Sequence, residues 1–208
     1  MRATEHAPRC PFQLLERRHG LAEIVERGGW VIVATALRCG DSARNILIVQ
    51  GNVAFTYREL GRHELALSMR QKIYSGCLKL HGERDPNTLR EAINYAESFV
   101  DMQRYADAKL LLRKMMPVAR RVLGNSHDFT LTMRMTYEVA LYEDPDATLE
   151  DIREAVTTLE ELKQTARRVF GGEHPTTTEI ETTLQKARAL LRAREAGKKV
   201  VFAQEYKG

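Results

Sequence analysis

Cysteine is scarce in this chain. Its 208 residues include three, Cys10, Cys39 and Cys77, an odd number without a CxxC pair. Neither a disulfide framework nor a zinc module is written there, and that usage fits a reducing, cytoplasmic setting. Proline and glycine are few, at 6 and 13. That disfavours sandwiches and barrels, which need a turn about every dozen residues. Aromatic residues reach only 7%. Long apolar runs are missing as well. The longest, Trp30 to Leu37, is too short to cross a bilayer and sits too deep, behind a charged stretch, to be a signal peptide. Nor does one charge dominate: 32 Lys and Arg face 28 Asp and Glu, for a net +4 and a pI near 9.0. With hydrophobic residues at 43% and charged ones at 29%, wholesale disorder and collagen-like classes are excluded.

What the chain does contain is a repeat, and self-similarity at such a period outranks every other signal. Gly82-Glu-Arg-Asp-Pro-Asn-Thr88-Leu89 returns 42 residues later as Gly124-Asn-Ser-His-Asp-Phe-Thr130-Leu131. It returns again, 47 further on, as Gly171-Gly-Glu-His-Pro-Thr-Thr177-Thr178. The interiors keep step. Asn52-Val-Ala54 matches Asn94-Tyr-Ala96, and Gly61-Arg-His-Glu-Leu-Ala66 matches Gln103-Arg-Tyr-Ala-Asp-Ala108. The five extra residues of the third unit fall in Glu143–Thr148, between its halves.

Each unit predicts two helices, because Ile93, Ala96, Phe99 and Val100 recur at helical spacing, as do Ala108, Leu111, Leu112 and Met115. Gly61 and Gln103 occupy the turn inside the first two units. Between units, Arg120-Arg121 and Arg167-Arg168 suit the negative end of a helix dipole, and Gly82, Gly124 and Gly171 supply the left-handed residue that stops a helix. Pro86 and Pro175 then open the next helix, with Asp85 as N-cap. Thr148 and Asp151 spell a capping box. Pro117, inside a second helix, lacks an amide hydrogen and crowds the Arg113 carbonyl, which predicts a kink. The expected architecture is all-α, a solenoid of antiparallel helix pairs. Units fall at about 40–81, 82–123 and 124–170, with a polar capping helix over 175–196, the array thus spanning 40–196. Residues 1–39 read as an N-terminal segment, with a worn or truncated repeat helix over Leu21–Arg38. Residues 197–208 read as a tail.

These motifs resemble tetratricopeptide repeats of the kinesin-light-chain type, whose unit is near 42 residues. The match rests on Leu123-Gly124-x-x-His127-x-x-Thr130-Leu131, on Asn94-Tyr95-Ala96, and on Gln103-Arg104-Tyr105-x-x-Ala108, over roughly residues 40 to 178. The resemblance implies a right-handed superhelix, with Ala54, Ala66, Ala96 and Ala108 where helices cross closely. It also implies that the first helix of each unit lines a concave groove. Carried onto this chain, the groove would present Asn52, Phe55 and Arg58 from the first unit. The second would offer Arg90, Asn94, Glu97 and Asp101, and the third Met135. The third unit departs from the pattern, with Thr136 where the Asn belongs and Glu138 at the small position. Because Ile48, Arg90 and Thr132 stand one turn before the Asn series, a clamp for a free C-terminal carboxylate is incomplete. An internal peptide segment is the expected ligand.

No catalytic pattern competes with that reading. His127 and His174 occupy equivalent junctions rather than converging as ligands, and there is no HExxH, nucleophile elbow or phosphate loop. Cys77 aligns with Ala119, a packing position. The expected activity is therefore non-enzymatic, without cofactor or metal: a scaffold that binds a protein or peptide, with other tetratricopeptide or coiled-coil proteins among the candidate partners. One alternative is nucleic-acid binding through the arginines at helix ends, which the aromatics do not support because they never alternate with the basic residues. Another is a fragment of a larger multidomain tetratricopeptide protein.

Overall fold

A computed structural model of the chain describes residues 43–197. The helix read over Leu21–Arg38 and the tail from Lys198 onward lie outside those residues, as do Cys10 and Cys39. Among the described residues there are seven helices and no strand: α1 (Ala43–Glu59), α2 (His63–His81), α3 (Pro86–Asp101), α4 (Tyr105–Leu123), α5 (Asp128–Tyr142), α6 (Leu149–Phe170) and α7 (Pro175–Glu195). Contacts separate residues 1–49 from a second unit, 50–208, and the packing described below belongs to that second unit.

From α2 onward each helix packs on its neighbour in the chain. The unit-opening helices α3, α5 and α7 also pack on one another in succession. The result is a helical solenoid whose core is serial rather than central. One cluster joins Leu89, Ala96, Leu112 and Met115 to Met133 of the following unit. A second joins Leu131 and Tyr142 to Ile152, Leu159 and Leu162, and on to Ile180 and Leu184 of α7. No unit buries its apolar face alone, which is the energetic signature of a repeat array. The crossing alanines are as expected: Ala54, Ala96 and Ala108 are fully buried and Ala66 nearly so. Helix α4 runs through Pro117 as one continuous helix from Tyr105 to Leu123.

The junctions are built from capping chemistry. Asp85 accepts from the Asn87 amide at 2.8 Å. Burial raises its carboxyl, but the two hydrogen bonds from Asn87, with His81 nearby, together outweigh that and hold it below the usual range. His127 and His174 do the same work through Nδ1, accepting from the amides of Phe129 and Thr176 at 3.2 and 3.3 Å. Thr148 and Asp151 form the capping box in both directions. The stop signals differ in detail from the sequence reading. Gly82, Gly124 and Gly171 have positive φ of 80°, 91° and 87°, but their ψ lies at 175°, 166° and 172°. That is not the left-handed helical region; it is the extended positive-φ region, which is essentially restricted to glycine. The chain therefore leaves each second helix fully extended before turning into the next unit.

Thr88, Thr130 and Thr177 recur as the third residue of α3, α5 and α7. All three are completely buried, and none of their hydroxyls has a hydrogen-bond partner. A buried hydroxyl without a partner costs desolvation free energy that an isosteric methyl does not. Thr130→Val is therefore expected to stabilise the fold by about 1 kcal/mol. Urea unfolding of the variant checks this, and a lower midpoint would show that the hydroxyl is satisfied in solution.

The turns inside the first two units share one geometry. The Gly61 amide donates to the Arg58 carbonyl and the Arg62 amide to the Tyr57 carbonyl, both at 2.9 Å; the same pairs recur as Gln103 to Val100 and Arg104 to Phe99, both at 2.8 Å. This is a Schellman turn, whose pivot sits at positive φ. Gly61 meets that demand at 71°, whereas Gln103 is forced to 57°. For a residue with a Cβ this costs on the order of 1 kcal/mol. Gln103→Gly should raise stability by about that amount. A denaturation midpoint that stays level or falls would show that the Gln103 side chain contributes more than its backbone strain removes.

Candidate functional site

The unit-opening helices converge on a recess of about 340 Å³. Helix α3 lines it with Glu97, Val100 and Asp101, and α5 with Met135, Thr136 and Val139, with Glu143 at its C-cap. Helix α7 adds Glu179, Thr183 and Lys186, while Arg58 reaches in from the end of α1. Helical spacing explains the gathering: residues four and seven apart, such as Glu179, Thr183 and Lys186, share one face. Val100, Met135 and Val139 are its apolar lining residues; Met135 is almost wholly buried, its Sδ accepting a weak hydrogen bond from the Thr183 hydroxyl at 3.7 Å.

Charge organises the walls. The Arg58 guanidinium grips Asp101 in a fork, Nε to Oδ2 at 2.6 Å and Nη2 to Oδ1 at 3.3 Å, and Nη1 reaches Glu97 Oε2 at 3.3 Å. Such planar two-point pairing fixes the side chain in orientation as well as charge. His63 Nδ1 stands 4.0 Å from the same Asp101 carboxylate. Burial pushes the Glu97 carboxyl up to about 6; Arg58 pulls it down, while Glu179 and Asp101 push it further up. Burial also raises Glu143, against the pull of Lys186 and of the Tyr142 hydroxyl.

Of the residues expected in the groove, Arg58, Glu97, Asp101 and Met135 line this recess. Asn52, Phe55, Arg90 and Asn94 do not. Asn52 and Phe55 are exposed on α1. Arg90 Nε lies 3.4 Å from Glu91 Oε1. Asn94 is half-buried and its amide donates to Glu91 Oε2 at 3.2 Å, so it buttresses a buried ion pair rather than offering itself to a ligand. Asn52 and Asn94, expected as paired groove contacts, thus stand in different surroundings, one exposed and the other bonded to Glu91. Asn94→Ala should cost about 1 kcal/mol of stability, the worth of one such hydrogen bond, while Asn52→Ala should cost close to nothing. Parallel thermal melts distinguish the two, and equal midpoints would remove the buttressing role.

Val100, Glu179, Thr183 and Lys186 line the recess but were not anticipated there. For α7 the signal was present in the repeat itself: shifting Thr132, Thr136 and Val139 by 47 lands on Glu179, Thr183 and Lys186. Reading α7 as a mere polar cap concealed that it continues the series of unit-opening helices. Elsewhere, burial raises the Cys77 thiol, in keeping with a packing role. No helix among the described residues is long and apolar enough to cross a membrane.

Comparison with known proteins falls on the same array. Residues 45–121 match the tetratricopeptide repeat family model. Over that segment the chain is similar to tetratricopeptide repeats. Its fold is of the kinesin-light-chain-like type: a solved Podosopora anserina protein with nearly identical TPR-like repeats, described as a kinesin light chain, aligns with a TM-score of 0.60 at 20% identity, covering 85% of this chain and 88% of that one. A point variant of that protein aligns with a TM-score of 0.59 at 18% identity, covering 86% and 89%. No curated protein matches the sequence. Tetratricopeptide repeats generally mediate protein–protein association.

Proposed function

We propose that the chain is a non-catalytic interaction scaffold that holds a peptide segment of a partner protein in the recess between α1, α3, α5 and α7. The observation that carries this reading is the composition of the recess. Met135, Val139 and Val100 offer dispersion contacts, while Thr136, Thr183 and six charged groups offer polar partners. Charged and polar groups arranged around a small apolar contact can fix the register of a bound segment and discriminate among partners. The carboxylates among the lining residues disfavour a free C-terminus and favour an internal segment. Nucleic-acid binding gains no support from the helix-end arginines. Among them Arg167 is held by Glu181, so a phosphate there would have to displace an existing partner.

A photoreactive residue at Val139, compared with one at Leu110, tests the proposal. Leu110 is 71% exposed on the second helix of its unit and serves as the surface control. Adducts from position 139 are expected to map to one contiguous segment of a partner, with none of that segment captured from position 110. Equal capture of the same segment from both positions would remove the recess from the binding surface.

A further inference from the structure

The chain as a whole is positive, at +4, yet its recess is negative. Among the described residues that line it, the carboxylates Glu97, Asp101, Glu143 and Glu179 outnumber the cations Arg58 and Lys186 by two, with His63 beside Asp101. Arg58 is already committed to Asp101 and Glu97. An arriving cation therefore finds carboxylate charge that the recess does not itself neutralise, in surroundings where pairing is stronger than in bulk water. Val100, Met135 and Val139 among those charges suit a ligand that is oily along its length and charged at its tip. Lys and Arg side chains have that construction.

Resting on the reading of the recess as a peptide groove, we propose that it selects a basic segment: a Lys or Arg of the partner lays its aliphatic stem over Met135 and Val139 and places its cation among Glu97, Glu143 and Glu179. Acidic segments are rejected by the same carboxylates, so the recess discriminates by repulsion as well as by attraction.

The test uses the full chain and three peptides of about twelve residues, identical in their Leu and Val positions. Their charged positions are Lys and Arg in the first, Gln in the second and Glu in the third. By fluorescence anisotropy at low salt the basic peptide should bind at least about tenfold more tightly than the other two, with the preference shrinking as salt screens the pairs. In the double variant Glu97→Gln/Glu179→Gln the preference should fall to about threefold or less, with Glu150→Gln/Glu161→Gln as the surface control. Circular dichroism confirms that both variants are folded, as removal of repelling carboxylates predicts. A preference for the Gln or Glu peptide overturns the basic selectivity while leaving the peptide groove standing. Basic preference that survives Glu97→Gln/Glu179→Gln unchanged places the cation elsewhere and also overturns it. Absence of binding by all three peptides up to about 1 mM removes the peptide-groove reading, and this inference with it.

Discussion

Replacing Glu91 by Ala is expected to destabilise the fold by about 3–5 kcal/mol, the range for stripping one partner from a buried ion pair. Glu91 Oε2 lies 3.0 Å from Arg70 Nη1, and the two side chains are only 7% and 11% exposed. Their pairing ties α2 to α3, with the Asn94 amide closing a further acceptor site on the same oxygen. Without the carboxylate the Arg70 guanidinium remains between helices with its charge uncompensated, and it has no cheap way to shed that charge, since arginine stays protonated. The comparison that isolates burial is Arg104→Ala. Arg104 Nη2 meets Asp107 at 2.6 Å, a closer pair, but at half-exposed side chains, and such surface pairs are worth about 0–1 kcal/mol. Replacing both Arg70 and Glu91 by Leu should recover most of the loss, because no unpaired charge is left behind. Denaturant midpoints of the three variants decide the matter. A Glu91→Ala loss as small as that of Arg104→Ala would show that water reaches Arg70.

The repeat makes most of the fold legible in the sequence, because its period is set by local chemistry. Asp85, Thr148 with Asp151, and Gly61 each satisfy a helix end through atoms within a few residues, so sequence alone exposes them. The Arg70–Glu91 pair was not legible for the opposite reason. Its residues are 21 apart, and a charged residue on a helical pattern ordinarily marks the solvent face. The recess falls between these cases. Arg58, Glu97, Asp101 and Met135 followed from the repeat register, but Asn94, at the register position that carries a ligand contact in the resemblance, was diverted by Glu91. Register says which face a residue occupies; it does not say which neighbour claims its hydrogen bonds.

Glu138 should make the protein progressively less stable as pH rises from about 5 to 8, and Glu138→Gln should abolish that contribution. The residue stands where the first two units place Ala54 and Ala96, so a carboxyl occupies a site built for a methyl. It is 7% exposed, and its Oε2 has no hydrogen-bond partner. Burial, reinforced by Glu154 and only partly opposed by Arg134, pushes it up to about 8, far above the ordinary carboxylate range. Arg134 is a weak ally. It is itself desolvated, and it forms an ion pair with Glu161 at 3.9 Å. A carboxyl raised in the fold means that the native state holds a proton the unfolded chain has released. Stability from this group is thus fully present below the unfolded value and is lost as pH climbs to the folded one. The slope within that window is about 1.4 kcal/mol per pH unit. Glu97 and Glu143 shift in the same direction, so the informative quantity is the difference between wild type and variant, in which their contributions cancel. Near pH 5 the two proteins should be of similar stability, since Gln mimics the protonated acid. By about pH 8 the variant should lead by roughly 2–4 kcal/mol and then plateau. Urea unfolding at several pH values measures the gap, and curves that run parallel across the range would show that Glu138 ionises freely in the folded protein.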